Sequence, residues 1–332
     1  MSSHVVTDGP TGPVTEEDLN HAFTAHRREL TGFCYRMLGA GAEAEDAVQE
    51  TMVRAWKAFG DFEGRSSLRS WLYRIANNVC VDMVRSPQRR ARPMEMGPAG
   101  STDAVLGEQL GEHMFVQPVP DEQVIDLDGD PAAVAAARES IRLAFVAALQ
   151  HLPARQRSVL ILCEVLRWKA AEVAELLDTS TASVNSALQR ARATLATVQG
   201  EPLDPRTDPG QAELLAKYVD AFERYDIKAL VGLLRDDVVL SMPPWDLWLE
   251  GTDDFAGWFL GQGSVCRDGK LIPVDVNGSP GFANYHKVAD GVWDSWAIQV
   301  IEIADGKIIG HHNFIGTEHF EAFGVPLRIE AQ

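Results

Sequence analysis

The run from Arg167 to Arg192 carries side chains suited to reading a nucleic acid. A short amphipathic stretch with Ala171, Val173, Ala174 and Leu177 on one face leads into Asp178, Thr179, Ser180 and Thr181, residue types that make turns and cap helix starts. A second helix then gathers Val184, Ala187, Leu188, Ala191 and Leu195 on its apolar side and leaves Ser183, Asn185, Ser186, Gln189, Arg190 and Arg192 on the other. Short polar groups near the start let such a helix sit deep in a major groove. Asn and Gln can pair with base edges, and Arg can hold phosphate or guanine. The bland alternative is a plain helical hairpin with a solvated face. Earlier in the chain, Asp46, Gln49 and Glu50 share one polar helix face, opposite Val48 and Met52. Gly39-Ala40-Gly41 follows a helical pattern, not a strand, so it is no phosphate-binding loop.

The elements that would position these groups are helical up to residue 200. Apolar residues recur near every 3.6 positions over 19–38, again over 44–59, and in a third helix from 68 to about 85. After a break, 132–149 is helical, and Pro153 fits the first turn of the next helix. From 211 the character changes. Two helices (211–225 and 227–234) and a third near 253–260 precede β-like runs at 271–276, 282–288, 293–303 and 307–314. Helices followed by a curved antiparallel sheet make an α+β unit.

Two stretches read as connectors. Residues 93–134 are rich in Pro, Gly, Asp and Glu without a period, a long flexible acidic linker. Residues 200–210 contain three prolines. The expected organisation is therefore a flexible N-terminus (1–19), a helical unit (20–92), the acidic linker (93–134), a second helical unit (135–199), a short linker (200–210) and the α+β unit (211–327). The net charge of −18 hides a segmented distribution. Residues 20–92 hold 12 Lys/Arg against 8 Asp/Glu, and 138–200 hold 8 against 5, whereas 93–137 hold 9 acids and no base and 201–332 hold 22 acids against 10 bases. Residues 1–19 add four acids and no base, so two basic blocks lie among three acidic ones, which points to local nucleic-acid contacts. No apolar run suits a membrane span, and the polar N-terminus is no secretory signal. Cys34, Cys80, Cys163 and Cys266 are scattered, three of them in apolar helical patterns, which favours a reducing cytoplasm over disulfides or a zinc ribbon.

The stretch Glu45 to Trp56 resembles the core-polymerase-binding segment of region 2 of the sigma-70 transcription factors, and Phe62 to Asp82 resembles the promoter-melting segment that follows it. Leu152-Pro-Ala-Arg-Gln-Arg157 and the helix-turn-helix resemble region 4. With no region 3 between them, the pattern is similar to that of the extracytoplasmic-function (ECF) sigma factors. The resemblance covers about 20–92 and 135–198. It implies that Asp46, Gln49 and Glu50 dock on the clamp of core RNA polymerase. It implies that Arg69, Arg74, Asn77, Asn78, Arg85, Arg89 and Arg90 contact the −10 promoter element and its separated strand, with the loop 61–67 helping to form a base pocket. Trp71 and Tyr73 could stack on bases, although Trp71 fits the core better. Lys169, Thr181, Ser183, Asn185, Ser186, Gln189, Arg190 and Arg192 would contact the −35 element.

Residues 211–325 look like a SnoaL-like domain of the NTF2 superfamily, helices wrapped on a bent sheet. Trp245, Trp248, Asp275, Tyr285, Trp296 and His312 are candidates to line a pocket inside that cone for a small-molecule ligand. His311 and His312, as strand neighbours, point to opposite faces and would not share a metal. No catalytic set maps onto the domain, and neither a metal nor a cofactor is expected. Three readings of it remain: a regulatory module that contacts the sigma domains or linker, a ligand sensor acting the same way, or an enzyme. For the whole chain the rivals are a ligand-responsive helix-turn-helix repressor, which leaves 45–82 without a purpose, and an enzyme with helical accessories. The best reading is a non-enzymatic initiation factor that binds core polymerase and promoter DNA, with the C-terminal domain modulating it.

Overall fold

Thr15 caps the first helix, α1 (Glu16–Leu38): its hydroxyl accepts from the Asp18 amide at 3.2 Å while Asp18 accepts from the Thr15 amide at 2.8 Å. Residues 15–19 are therefore structured, not flexible. The computed structural model describes residues 15–84, 90–103, 106–197, 203–204 and 208–331. The rest of the expected flexible N-terminus and most of the 200–210 break lie outside these residues, as do Arg85 and Arg89. Gly39 ends α1 in the left-handed conformation, with φ 79°. Then α2 (Gly41–Ala58) and α3 (Leu68–Met83) close a three-helix bundle around Phe33, Cys34, Val48, Leu72 and Cys80, all buried.

The second helical unit runs from α5 (Pro131–Glu139) through α6 (Leu143–Gln150), α7 (Ala154–Leu160) and a π-turn (Ile161–Val165) to α8 (Ala170–Leu176) and α9 (Thr181–Leu195). The single helix expected over 132–149 is broken at Ser140–Arg142. The reason is visible in the hydrogen bonds: the Ser140 carbonyl accepts from Arg36 Nε at 3.1 Å and the Ile141 carbonyl from Asn277 Nδ2 at 2.8 Å. Two carbonyls that would serve the helix serve distant side chains instead.

The segment expected as a flexible linker is built into the body. It forms a short helix α4 (Asp121–Val124) against α1, where a Cβ on Gly32 would lie 2.4 Å from the Val124 carbonyl oxygen, so only glycine permits the approach. Further upstream, a strap of residues 97–103 and 106–110 lies on the C-terminal unit. Gly100 N donates to Trp248 O (2.8 Å), Leu110 N donates to Pro244 O (2.9 Å), and Leu106 packs on the apolar interior there. Composition misled because Pro and Gly satisfy their neighbours through backbone bonds to other elements, with no period of their own.

The C-terminal unit comprises α10 (Pro209–Glu223), α11 (Ile227–Leu233), β1 (Leu234–Ser241), β2 (Trp248–Glu250), α12 (Thr252–Leu260), β3 (Lys270–Val276), β4 (Ser279–Ala289), β5 (Val292–Ala304), β6 (Lys307–Ile315), α13 (Glu318–Ala322) and β7 (Arg328–Glu330). The strand order is β2-β1-β6-β5-β4-β3, with β7 paired to β5 and β1 parallel to β6. Strands β1, β2 and β7 were not legible in the sequence. One face of the bent sheet encloses Tyr218, Phe222, Phe255, Phe282 and Ile301 under α10–α12. The other face, with Ala283, Tyr285, Ile298, Val300 and Phe314, belongs to the apolar cluster that runs through both helical units.

That joint is locked by the β3–β4 turn. Asn277 (φ 51°) and Gly278 (φ 70°) form an Asn-Gly hairpin. Asn277 is wholly buried: Oδ1 accepts from Val119 N at 3.0 Å, and Nδ2 donates to Tyr35 Oη (2.5 Å) and to Ile141 O. Gly278 N donates to Asp121 Oδ1 at 2.7 Å, and a Cβ on Gly278 would meet Arg138 O at 2.4 Å. Gly278→Ala is therefore expected to weaken the joint by roughly 1–3 kcal/mol. Limited proteolysis checks it: cleavage within 97–130 should accelerate in the variant.

Candidate polymerase and nucleic-acid interfaces

On α2 the acidic face is open. Asp46, Gln49 and Glu50 are exposed, and Glu50 holds Arg54 at 2.7 Å, which in turn reaches Asp82 at 3.1 Å. Beside them stand Val53 and Trp56, 43% and 37% exposed. Such apolar groups at the end of an acidic face give a docking surface both a charge and a desolvating contact. Val53 and Trp56 are not evident as contact groups from the sequence, because an apolar residue at helical spacing has the signature of core.

On α3 the reverse holds. Arg69 is paired with Glu29 and lies over the rings of Trp168 (4.8 Å) and Tyr73 (5.5 Å). Burial alone would raise the Glu29 carboxyl, but hydrogen bonds from His26 and Arg69 bring it down to about 2. Arg74 donates to the Glu175 carbonyl at 3.1 Å, and buried Asn77 accepts from Ser158 Oγ at 2.5 Å. Arg90 is buried, bonded to Glu43 and to the carbonyls of Glu112 (3.0 Å) and Phe115 (2.9 Å). Asn78 is exposed. Trp71 packs with Phe62 and Phe59, while Tyr73 is fully buried between Phe33 and Trp168. Part of the polar side of α3 is thus turned onto α7 and α8: Asn77 is buried there and Arg69 is partly covered by Trp168, unnoticed in the sequence, while Arg74 and Asn78 stay exposed.

The second helix of the helix-turn-helix is free. Ser180 caps α9, its Oγ accepting from Ser183 N at 3.2 Å, after a turn in which Asp178 has φ 47°. Thr181, Ser183, Asn185, Ser186, Gln189, Arg190 and Arg192 all face solvent, as does Lys169 at the start of α8. Arg190 donates to Ser186 Oγ at 2.6 Å, and Arg192 is paired with Glu164. Ser183, Ser186 and Arg190 share a cleft with Arg155 and Gln156 of α7.

The six expected pocket residues of the C-terminal unit do not converge. Trp245 and Trp248 bond the strap, through Nε1 to Gly107 O (3.0 Å) and Gly97 O (2.9 Å). Asp275 is exposed beside α10. Tyr285 bonds the Pro326 carbonyl at 2.8 Å, and Trp296 stacks on His286 at 4.3 Å. His312 is paired with Glu302 (3.3 Å) and Ser241 (2.8 Å). Strand alternation puts His311, not His312, inside the cone. There Asn313 Nδ2 donates to His311 Nδ1 (3.0 Å), which leaves Nε2–H for Tyr218 Oη (2.7 Å), whose own proton goes to Gln299 Oε1 (3.0 Å). Phe255, Phe259 and Phe282 close around this chain of hydrogen bonds. Among the described residues, no group of three His, Cys, Asp or Glu is placed to hold a metal, and no helix is long and apolar enough to cross a membrane.

Residues 22–90 match the family model of sigma-70 region 2, and residues 142–195 match that of sigma-70 region 4. The ECF RNA polymerase sigma factor SigG of Mycobacterium tuberculosis is 43% identical over 314 residues, covering 92% of this chain and 84% of that protein. The chain belongs to the ECF sigma factors. The sigma factor SigJ of the same organism is 30% identical over 330 residues, covering 92% of this chain and 94% of its own. The SigJ crystal structure superposes on 93% of this chain and 99% of its own with a TM-score of 0.60 and 25% identity. This sigma factor therefore carries region 2 in α1–α3, region 4 in α6–α9, and the helix-wrapped bent sheet of the C-terminal unit after them.

The buried histidine of the cone fixes a pH response. Burial, and then the neighbouring His312, push His311 down to about 3, so it stays neutral in the fold. The unfolded chain takes up that proton near pH 6.5 and the folded chain does not, so stability is present above 6.5 and is lost as pH falls. The cost is about 1.4 kcal/mol per pH unit below that point. Urea midpoints at pH 7.5, 6.0 and 5.0 should fall accordingly, and His311→Gln should flatten the trend.

Proposed function

We propose that this sigma factor binds core RNA polymerase through the α2 face and directs promoter-specific initiation. In the closed arrangement, region 4 and the C-terminal cone hold the promoter-melting face of region 2 out of reach. The observation that carries the reading is the partial covering of α3: Asn77 is buried against region 4, Arg69 lies under Trp168 and the exposed Arg74 is held by a region 4 carbonyl, while the α2 face and the α9 groups stay open. Promoter strands need the basic side of α3 exposed. Core polymerase needs only α2, so docking can come first and separation of the regions after it. The cone supports closure through the Asn277 hairpin, which bonds α1, the former linker and the break before α6. The protein acts in the cytoplasm, where core polymerase and promoters are found.

The alternative of a free-standing helix-turn-helix repressor is disfavoured by the open acidic and apolar α2 face, which has no use in duplex binding. The cone grips its neighbours through the hydrogen bonds of Asn277 and through apolar surface.

Two measurements test the reading. The double change Asp46→Lys, Glu50→Lys should lower co-purification with core polymerase at least tenfold. Asn277→Ala in the full-length chain should raise run-off transcription from a cognate promoter several-fold without weakening core binding. Equal transcription by the variant and the native chain across a salt range would defeat the closed-state reading.

A further inference from the structure

A cavity of about 900 Å³ lies where region 2, the former linker, region 4 and the outer side of the cone meet. It is separate from the interior of the cone. It exists because α5 and α6 present small side chains there, Ala133, Ala136, Ala137, Ala144 and Ala148, where larger ones would fill the space. Phe145, Val165, Leu166, Leu195 and Ile309 give the remaining wall an apolar surface. Volume and lining are those of a small-molecule site.

Five arginines and five carboxylates line the wall, and all the carboxylates have partners. Arg28 is paired with Asp126, Arg92 with Glu95, and Arg142 with Glu139. The carboxylates of Glu29, Glu164 and Glu302 are taken by Arg69, Arg192 and His312. Arg36 differs. It is 3% exposed, and its guanidinium donates only to neutral groups, Ser140 O, Ser140 Oγ and Gly32 O, at 2.6–3.2 Å. Burial lowers it to about 10. Arg167 stands at the same wall, held with φ 60°. A buried guanidinium without a carboxylate beside an apolar hollow favours one kind of occupant.

We propose that this junction cavity binds a small amphipathic anion, an apolar tail carrying one carboxylate-like head, and that its occupation fastens regions 2 and 4 together. The tail lies on the alanine floor and the head faces Arg36 and Arg167. Because the walls come from four parts of the chain, the occupant binds the closed form and not the opened one, and so shifts the equilibrium toward closure. Binding needs only that the closed arrangement exists; fastening rests in addition on the reading above that this arrangement withholds α3.

The probe is decanoate, kept below its micelle-forming concentration, titrated calorimetrically into the full-length protein, with 1-decanol as the neutral control. One decanoate site is expected, with decanol at least tenfold weaker. Ala144→Phe should fill the hollow and weaken decanoate at least tenfold at unchanged far-UV circular dichroism. If that variant does not fold, Ala133→Trp at the exposed rim serves in its place. Absence of binding, equal binding of decanol, or undiminished binding by a folded filled variant overturns the site. In run-off transcription decanoate should lower the yield several-fold for the native chain and leave the filled variant unaffected. Binding with no change in transcription overturns the fastening claim alone, and the Asn277→Ala assay then still decides whether the closed state exists.

Discussion

One amide side chain connects three parts of this molecule. Asn277, at the tip of a hairpin in the cone, serves α1 through Tyr35, the former linker through Val119, and the break before α6 through Ile141. Its position depends on a backbone that only a left-handed Asn-Gly pair adopts easily. Because Asn277 is wholly buried, each partner left without its bond would cost about 1–3 kcal/mol. The relative placement of region 2, region 4 and the cone follows from that insertion, and so does the covering of α3. Tyr35 extends the same network by donating to the Gln117 carbonyl at 2.8 Å.

The closed body divides its functional faces by exposure. The α2 surface, with two carboxylates and two apolar side chains, is available at all times. The α9 groups are available too, with only Arg190 and Arg192 lightly held. The α3 surface is occupied by aromatic stacking and by hydrogen bonds of the sort a nucleic acid would otherwise supply: Trp168 on Arg69, a carbonyl on Arg74, a hydroxyl on Asn77. Region 4 thus uses on region 2 the same chemistry that single-stranded DNA uses.

The helices of both sigma regions were legible because their apolar periodicity is strong and local, and the helix-turn-helix because its turn and capping residues are adjacent. The exposed state of Asp46, Gln49, Glu50 and the α9 residues followed from that periodicity. The fate of Arg69, Arg74, Asn77 and Arg90 did not, since a polar side chain looks the same in sequence whether its partner is solvent or another domain. The order of residues 93–134 was hidden for a related reason: its bonds go to Trp248, Pro244 and Asn277, well over a hundred residues away. In the cone, alternation separated His311 from His312, but the inner one could be chosen only once β6 had a register with β5.

The folded segment between the two sigma regions is also a store of length. Residues 93–134 now bridge regions that touch; drawn out, a chain of that many residues can span up to about 140 Å. At about 3.4 Å per base pair that corresponds to roughly 40 base pairs of duplex. Opening the molecule would therefore release the slack that lets two DNA-contacting domains stand far apart on one promoter, and a truncation inside that segment would shorten reach before it altered any contact.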